Sequence, residues 1–142
     1  MDNRLEWATL TAIHYIGESY KWAGDDPMAG FDCSGFVIEI LRSGNILPLK
    51  GDWSAAELFD YFKNKVELNP CEGCLVFFCG INTVPFHVEY CLDKDFSIGA
   101  SGGDSRTVDI NIAIKQNAYV KIRTFRNRSS ALLKFVNPFK EV

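Results

Sequence analysis

The order of the helical and strand-like patterns is the feature that most constrains the fold of this chain. Up to Pro70 the apolar residues mostly recur at helical spacing. After Pro70, short runs rich in β-branched and aromatic residues are separated by turn-forming segments. Helices that precede strands predict an α+β domain whose N-terminal helices pack on one face of an antiparallel β-sheet. A length of 142 residues suits one domain, covering residues 1–142.

Three helices are predicted in the first half of the chain. Residues 4–18 carry an apolar stripe at helical spacing. The stripe consists of Leu5, Ala8, Leu10, Ile13 and Ile16. The range Cys33–Gly44 predicts a second helix that stops at its glycine, the usual residue at a helix C-terminus. Ser54 and Glu57 have the spacing of a capping box, which starts a third helix within residues 52–64.

Four strands are predicted in the second half of the chain, arranged as an antiparallel meander. They cover residues 74–79, 87–92, 96–101 and 118–125. The segment "DINIAIKQN", residues 109–117, suits either a short helix or a loop.

The composition argues against nucleic acid and membranes as partners. The formal net charge is -3, and the nearest approach to a basic run, Lys121–Arg128, is interpreted as a solvated strand edge and turn. No stretch approaches the ~20 apolar residues of a membrane-spanning helix. The N-terminus also lacks the pattern of a secretory signal. We therefore expect synthesis in the cytoplasm without a signal peptide, no nucleic-acid partner and no membrane insertion.

The stretch "GFDCSGFVIEILRSG" places a cysteine at the start of the second predicted helix. Backbone N–H groups and the positive end of the helix dipole favour a thiolate at Cys33, and the same N–H groups suit the oxyanion of a tetrahedral intermediate. Gly30 and Gly35 would let a substrate backbone approach. The alternative is that Cys33 is a small buried residue with no catalytic role. Because Asp32 and Ser34 flank the cysteine, the motif favours a nucleophile.

A cysteine nucleophile needs a base, and the chain contains only two histidines. His14 lies inside the first predicted helix, where a histidine is usually a packing or surface residue. His87 opens a predicted strand, from which its ring can face the start of a helix. Cysteine on a helix N-terminus with histidine on a neighbouring strand is the papain-like arrangement, so His87 is the predicted base.

The cysteines also allow two metal-binding interpretations. The chain has five cysteines, and without a signal peptide an odd number argues against a disulfide framework. A structural zinc site is an alternative, with ligands drawn from Cys71, Cys74, Cys79 and either His87 or Cys91. "PCEGC" and "HVE" also contain the elements of the zinc deaminase signature, but in reverse order. Both signals are weak, so no metal and no cofactor is predicted.

The residues around Cys33 and His87 resemble the NlpC family of papain-like cell-wall cysteine endopeptidases. "YKWAGDDPMAGFDCSGFV" resembles the family's cysteine motif, and "EGCLVFF" with "HVEYCL" resembles the strands that carry its histidine. The resemblance covers residues 5–101. It implies that Cys33 is the nucleophile, His87 the base and Tyr20 the hydroxyl that assists the oxyanion. It also implies that Asp32 and Ser34 bind the free amino end of a peptide substrate.

The resemblance also implies a substrate and a setting. Members hydrolyse stem peptides of bacterial peptidoglycan, usually between D-glutamate and a diamino acid. The segment "GDSRTVD" and the later "KQNAYVKIRTF" resemble phage-type members. We therefore expect action at the cell wall after lysis, after export or within a virion, with other phage tail proteins as further partners. The alternative function is a catalytically weak structural component of a phage tail or virion.

Two positions depart from the family pattern. The strand after the catalytic histidine usually carries an orienting His, Asn or Gln, and that position falls at Gly99. Ser97, Ser101, Asp104 or a backbone carbonyl are the candidates to replace it. Glu89 alternates with Val88 and is expected on the same side of the strand as His87. Glu89 is interpreted as a surface charge, and a substrate-facing acid is the alternative.

Overall fold

The computed structural model describes residues 3–26, 30–47, 53–126, 128 and 131–141. Its four α-helices are α1 (Arg4–His14), α2 (Cys33–Ser43), α3 (Ala55–Tyr61) and α4 (Ile110–Gln116), with a 3₁₀ turn at Lys63–Lys65. None of the described helices is long and apolar enough to cross a membrane.

One six-stranded antiparallel sheet forms the second half of the molecule. Its strands are β3 (Val66–Glu67), β4 (Leu75–Cys79), β5 (Pro85–Cys91), β6 (Phe96–Ser101), β7 (Tyr119–Thr124) and β8 (Leu132–Val136), in the order β3-β8-β4-β5-β6-β7. A separate two-stranded ribbon, β1 (Asp25–Asp26) with β2 (Gly30–Phe31), leads into α2. This arrangement confirms the α+β prediction and the antiparallel meander from β4 to β7.

The core lies between the helices and one face of the sheet. Alternate residues of β4 point to opposite faces, so Leu75 and Phe77 join the core that contains the apolar face of α2. Val76 and Phe78 instead join a smaller cluster on the other face, together with Phe125. Both faces of the central strands are therefore buried, one under helices and the other under the segment that follows β7.

The helices confirm three predictions and correct their details. The capping box of α3 is formed, with Ser54 and Glu57 each accepting the other's backbone N–H. Residue 52, the first of the segment in which the third helix was predicted, lies outside the described residues. Asn45, not Gly44, takes the left-handed conformation after α2. The ambiguous segment 109–117 contains a helix, α4.

The first helix is shorter than predicted and faces another way. It ends at His14, because Gly17 has φ 91° and donates its N–H to the carbonyl of Val120 instead of continuing the helix. The fully buried residues are Ala8 and Ala12. The other members of the predicted stripe do not form its buried face, and Leu10 is 58% exposed.

The sheet contains two strands that the sequence patterns did not predict. β8 pairs with β4 along its whole length, from Leu75 opposite Val136 to Cys79 opposite Leu132. The short β3 pairs with β8 at the edge of the sheet. The basic run lies partly on the opposite edge strand, β7, as predicted. Arg128, however, turns inward, and its side chain is only 17% exposed.

Candidate active site

An open cleft of about 800 Å³ lies where the start of α2 meets the sheet. Its lining contains Tyr20, Cys33, Trp53, His87, Ser101 and Arg123, among other residues. The two residues predicted as nucleophile and base therefore face one cavity, although they are far apart in the chain.

Cys33 is the first residue of α2 because Asp32 caps the helix. The backbone of Asp32 is extended, with φ -88° and ψ -177°, and its carboxylate accepts the N–H of Gly35 at 2.6 Å. Ser34 donates its hydroxyl to the same oxygen at 3.3 Å. A helix that starts in this way directs the N–H groups of its first turn beyond its N-terminus, beside the Cys33 sulfur.

Glycines near Cys33 allow two backbone segments to pack closely together. A Cβ on Gly35 would lie 1.9 Å from the carbonyl oxygen of Gly24, and a Cβ on Gly24 would lie 2.4 Å from that of Gly30. The loop backbone thus packs against the first turn of α2. Gly35 also lines the cleft, so the expectation that a substrate backbone approaches it stays a prediction, although the close contact with Gly24 already accounts for the glycine.

Tyr20 reaches the same cleft from the segment before β1. Its ring is 5% exposed, and Gly103 leaves the room for it, since a Cβ there would lie 2.2 Å from a ring carbon. Burial raises the pKa of the Tyr20 hydroxyl, and the nearby Cys33 and Asp32 raise it further. Tyr20 is therefore a protonated hydroxyl beside the cysteine, which is the form that can donate a hydrogen bond.

His87 lies near the start of β5, with 21% of its side chain exposed. Its Nε2 is 2.7 Å from Oε2 of Glu89, and its ring lies 5.3 Å from the ring of Phe78. Burial alone would lower the pKa of His87, but hydrogen bonds and charge interactions with Cys33 and Glu89 outweigh burial and raise it to about 9. Negative charge on the Cys33 sulfur and on the Glu89 carboxylate thus favours the protonated form of the imidazole.

Glu89 is buried, and its predicted place at the surface is wrong. Its side chain is 1% exposed, and Arg128 donates two hydrogen bonds to it, at 2.7 and 3.0 Å. Ser97 donates a further bond at 2.7 Å. Burial opposes the charge, but His87 and Arg128 overcome it and lower the pKa of Glu89. The prediction that Glu89 lies on the same side of β5 as His87 is confirmed.

Gly99 creates the space that Glu89 fills. A Cβ at Gly99 would lie 2.4 Å from Cγ of Glu89 and 2.8 Å from its Cδ. Any side chain at this position of β6 would therefore collide with the carboxylate that contacts His87.

Comparison with known proteins identifies the family to which this cleft belongs. The family model described as NlpC/P60 matches residues 17–128, a range that contains Cys33, His87 and Glu89. The chain belongs to the NlpC/P60 family. It is also 39% identical over 70 residues to the bifunctional muramidase/DL-endopeptidase CwlT of Bacillus subtilis (strain 168). This match covers 49% of the chain but only 20% of CwlT.

Solved NlpC/P60 structures share the fold. The peptidoglycan hydrolase RipB of Mycobacterium tuberculosis gives a TM-score of 0.73 at 17% identity, over 98% of this chain and 66% of RipB. RipD of the same organism, described as a non-catalytic NlpC/p60 domain protein adapted to peptidoglycan binding, gives 0.69 at 15% identity, over 94% of this chain and 96% of RipD. At these identities the likeness shows the fold alone. It confirms the papain-like fold class, and the family match confirms the predicted family.

Ser97, Ser101 and Asp104 were the side chains expected to replace the orienting residue of the NlpC/P60 family. None of the three has a described contact with His87. Ser97 reaches the imidazole only through Glu89, and Ser101 accepts a hydrogen bond from Arg123. Asp104 binds its own turn, where bonds from Arg106 lower its pKa to about 2. The other histidine, His14, is exposed in the last turn of α1, where its ring contacts Tyr15.

The proposed zinc ligands are divided between the two faces of the sheet. Cys79 belongs to the core under the helices, whereas Cys74 and Cys91 belong to the cluster on the opposite face. Among the described residues, no group of three or more His, Cys, Asp or Glu side chains is arranged to hold a metal ion. The zinc interpretation therefore has no ligand set in the part of the NlpC/P60 domain that the structure describes.

Proposed function

We propose that this chain is a cysteine endopeptidase of bacterial peptidoglycan stem peptides, with Cys33 as nucleophile and His87 as base. The observation that carries this proposal is that Cys33, at the N-terminus of α2, and His87, on β5, line the same open cleft. Membership of the NlpC/P60 family and similarity to a DL-endopeptidase support the substrate class. The bond that family members usually cleave, between D-glutamate and a diamino acid, is part of the proposal.

Acylation begins with attack of the Cys33 thiolate on the scissile carbonyl carbon, which forms a C–S bond. Negative charge then develops on the carbonyl oxygen, next to the N–H groups of the first turn of α2 and the hydroxyl of Tyr20. His87, which holds the proton taken from the thiol, donates it to the leaving nitrogen as the C–N bond breaks. The amine product leaves and a thioester remains.

Deacylation reverses the roles of the same groups. His87 accepts a proton from a water molecule, and the resulting hydroxide attacks the thioester carbonyl. The C–S bond breaks, the carboxylic acid product leaves and loses its proton to solvent, and the thiolate forms again beside a protonated imidazole. The mechanism uses only side chains, backbone N–H groups and water.

The substrate's free amino end is proposed to bind beside Cys33, at Asp32 and Ser34. Both residues line the cleft, and a carboxylate next to a hydroxyl suits an ammonium group. Asp32 also caps α2, so its replacement by Asn keeps an N-cap while it removes the charge. The proposal predicts that Asp32→Asn raises KM for peptides with a free amino end more than for N-blocked peptides.

The test of the function is a digest of purified muropeptides, analysed by mass spectrometry, with Cys33→Ala as the inactive control. Hydrolysis by the wild type alone supports the proposal, and the product masses identify the bond. In parallel, the alkylation rate of Cys33 is measured across pH in the wild type and in His87→Ala. A reactive plateau at acidic pH that disappears in the variant indicates a thiolate–imidazolium pair. Absence of both hydrolysis and the plateau would contradict the proposal.

A second candidate is a non-catalytic member of a phage tail or virion. It is favoured by the existence of RipD, a protein with the same fold that is described as non-catalytic. Binding of muropeptides without turnover in the same digest would favour this candidate. The phage setting, action at the cell wall after lysis, export or assembly into a virion, and the tail partners rest on sequence resemblance and stay predictions.

A further inference from the structure

We propose that Glu89 is the positioning residue of His87, so that the imidazole is oriented from within its own strand. This inference rests on the proposed function, since it assigns a role in that reaction. Glu89 acts through His87 and is not placed against substrate.

The contact between the two side chains fixes the role of each ring nitrogen. Oε2 of Glu89 lies 2.7 Å from Nε2 of His87, and the carboxylate can only accept a hydrogen bond. Nε2 therefore carries hydrogen and donates it to Glu89. This leaves Nδ1 as the nitrogen that exchanges a proton with the Cys33 thiol. Glu89 thus sets both the tautomer and the direction of the ring.

The carboxylate is itself held from two further segments of the chain. Arg128, in the segment after β7, donates Nη1 to Oε2 at 3.0 Å and Nη2 to Oε1 at 2.7 Å. Ser97, on β6, donates to Oε1 at 2.7 Å and accepts from Arg128 at 2.9 Å. Phe78 lies beneath both ends of the network, with the Arg128 guanidinium 4.8 Å from its ring centre. A buried carboxylate with this many donors has little freedom to rotate away from His87.

The network also determines which form of His87 is favoured. Among the described residues, the groups that interact electrostatically with the His87–Glu89 pair are Cys33 from α2, Cys91 from β5, Arg128 and, from β7, Lys121 and Arg123. A carboxylate orients the ring and also stabilises its positive charge, whereas a neutral amide would only orient it. The alkaline limit of activity should therefore depend on the charge of Glu89.

The test uses Glu89→Gln, which retains an acceptor for Nε2–H and removes the charge. We expect kcat to fall about tenfold with KM little changed, and the alkaline limb of the kcat/KM profile to move to lower pH. Glu6→Gln, at an exposed glutamate in α1, is the matched control for loss of one charge. An unchanged pH limb, with activity reduced equally at all pH values, would mean that Glu89 is merely structural and would overturn the proposal.

A second measurement does not depend on turnover. The two histidines can be titrated by NMR, with the exposed His14 as an internal reference. We expect the His87 pKa to be raised in the wild type and to fall in Glu89→Gln, or in Gly99→Ala if the first variant does not fold. An unchanged His87 titration would overturn the inference. A shifted titration in a protein that does not cleave muropeptides would contradict the proposed function alone.

We infer independently that Cys71 and Cys74 form a site of reversible disulfide formation. Their sulfur atoms lie 3.5 Å apart across a turn closed by the hydrogen bond from the Cys74 N–H to the Cys71 carbonyl. Cys71 is exposed, whereas Cys74 is buried, and burial raises the pKa of the Cys74 thiol to about 12. Reagents in solution can therefore reach the Cys71 thiol, whereas the Cys74 thiol reacts mainly with Cys71.

The oxidant is a low-molecular-weight disulfide such as oxidised glutathione. Cys71 attacks one of its sulfur atoms and releases a first thiol, which leaves a mixed disulfide on Cys71. Cys74 then loses its proton and attacks the Cys71 sulfur, which releases the second thiol and closes the bond. The two cysteines are oxidised by two electrons, and one oxidised glutathione becomes two reduced molecules.

The experiment uses Cys33→Ala, which removes the thiol of the cleft, treated with oxidised glutathione and then alkylated. We expect peptide mapping to find a Cys71–Cys74 disulfide that dithiothreitol reverses. The same chain with Cys71→Ser should not form any disulfide at Cys74. A stable glutathione adduct on Cys71, or two free thiols after treatment, would overturn this second inference.

Discussion

Gly99→Ala is the sharpest perturbation of the proposed site, because it changes no polar atom and adds one methyl group. The new Cβ would lie 2.4 Å from Cγ of Glu89, while ordinary contact begins at about 3.4 Å. Glu89 must therefore retreat by roughly 1 Å, the difference between these distances. Such a retreat lengthens its 2.7 Å bond to His87 toward about 3.7 Å, where it is no longer a hydrogen bond.

The expected loss follows from the bond that is broken. A hydrogen bond to a charged group contributes about 1.5–3 kcal/mol, which corresponds to roughly a 10- to 150-fold fall in kcat if the whole effect is on the orientation of His87. KM should change little, because Gly99 is not among the residues that line the cleft. The change is measured with a muropeptide substrate under saturating conditions.

The matched control is Gly80→Ala, in the turn between β4 and β5. Its Cβ would meet only Asn82 Oδ1, at 3.6 Å, so the substitution tests the general effect of replacing glycine by alanine in this sheet. Thermal unfolding of both variants separates loss of fold from loss of activity. A folded Gly99→Ala protein with the kcat of the wild type would refute the reasoning.

Four further predictions test the site and its scaffold. Cys33→Ala should abolish turnover and change the free energy of unfolding by no more than about 1–2 kcal/mol, measured in urea; unfolding would instead make Cys33 structural. Tyr20→Phe should lower kcat about 10²- to 10³-fold in the peptide assay, and an unchanged kcat would exclude its hydroxyl from oxyanion stabilisation. Ser54→Ala should cost about 1 kcal/mol of unfolding free energy through the lost capping box, and no loss would contradict that role. The pKa of His87 is raised from 6.5 to about 9, and that of Glu89 is lowered from 4.5. Their contribution to the free energy of unfolding should therefore be fully present between about pH 4.5 and 6.5. It should fall as pH rises through about 9, and also at acidic pH as Glu89 is protonated. Melting temperatures of the wild type and Glu89→Gln should converge at acidic pH and should differ less above about pH 9, where the hydrogen bonds from Arg128 to Glu89 remain; a constant difference would contradict the linkage.

The sequence was sufficient to predict Cys33 and His87 as site residues, because the short segments around them indicate their positions on a helix and a strand. Cys33 follows a capping aspartate and opens an apolar helix, and the structure forms that helix from Cys33 itself. The strand that carries His87 was also recognisable from its own composition. Both predictions needed only short segments, which is why they placed two residues in one cleft before any coordinates were known.

Glu89 could not be predicted in the same way, because its burial comes from other segments. Alternation along β5 fixes the side of the strand to which Glu89 points, but not what covers that side. Arg128 and Ser97 provide the cover, and they reach it only after the sheet has assembled. The available signal was Gly99, since a glycine in a central strand often marks a position into which a neighbouring side chain projects.

The apolar stripe of α1 failed for a related reason. Helical spacing shows that a helix forms, but two alanines, Ala8 and Ala12, allow α1 to approach its neighbours closely, while the larger Leu10 stays outside. Small residues rather than large ones define the buried face. A search for large apolar residues at helical spacing therefore selects the wrong face of α1, the one that carries Leu10.

The pairing of β8 with β4 bears on when the sheet can be completed during synthesis. β4 precedes the strand of His87 and is flanked on its other side by residues 132–136, which leave the ribosome long after the Cys33 helix. Until they do, one edge of β4 has exposed N–H and C=O groups. The sheet that supports the proposed catalytic pair is therefore completed only after residues 132–136 have been synthesised, so a nascent chain that already contains Cys33 and His87 still lacks the strand that pairs with the far edge of β4.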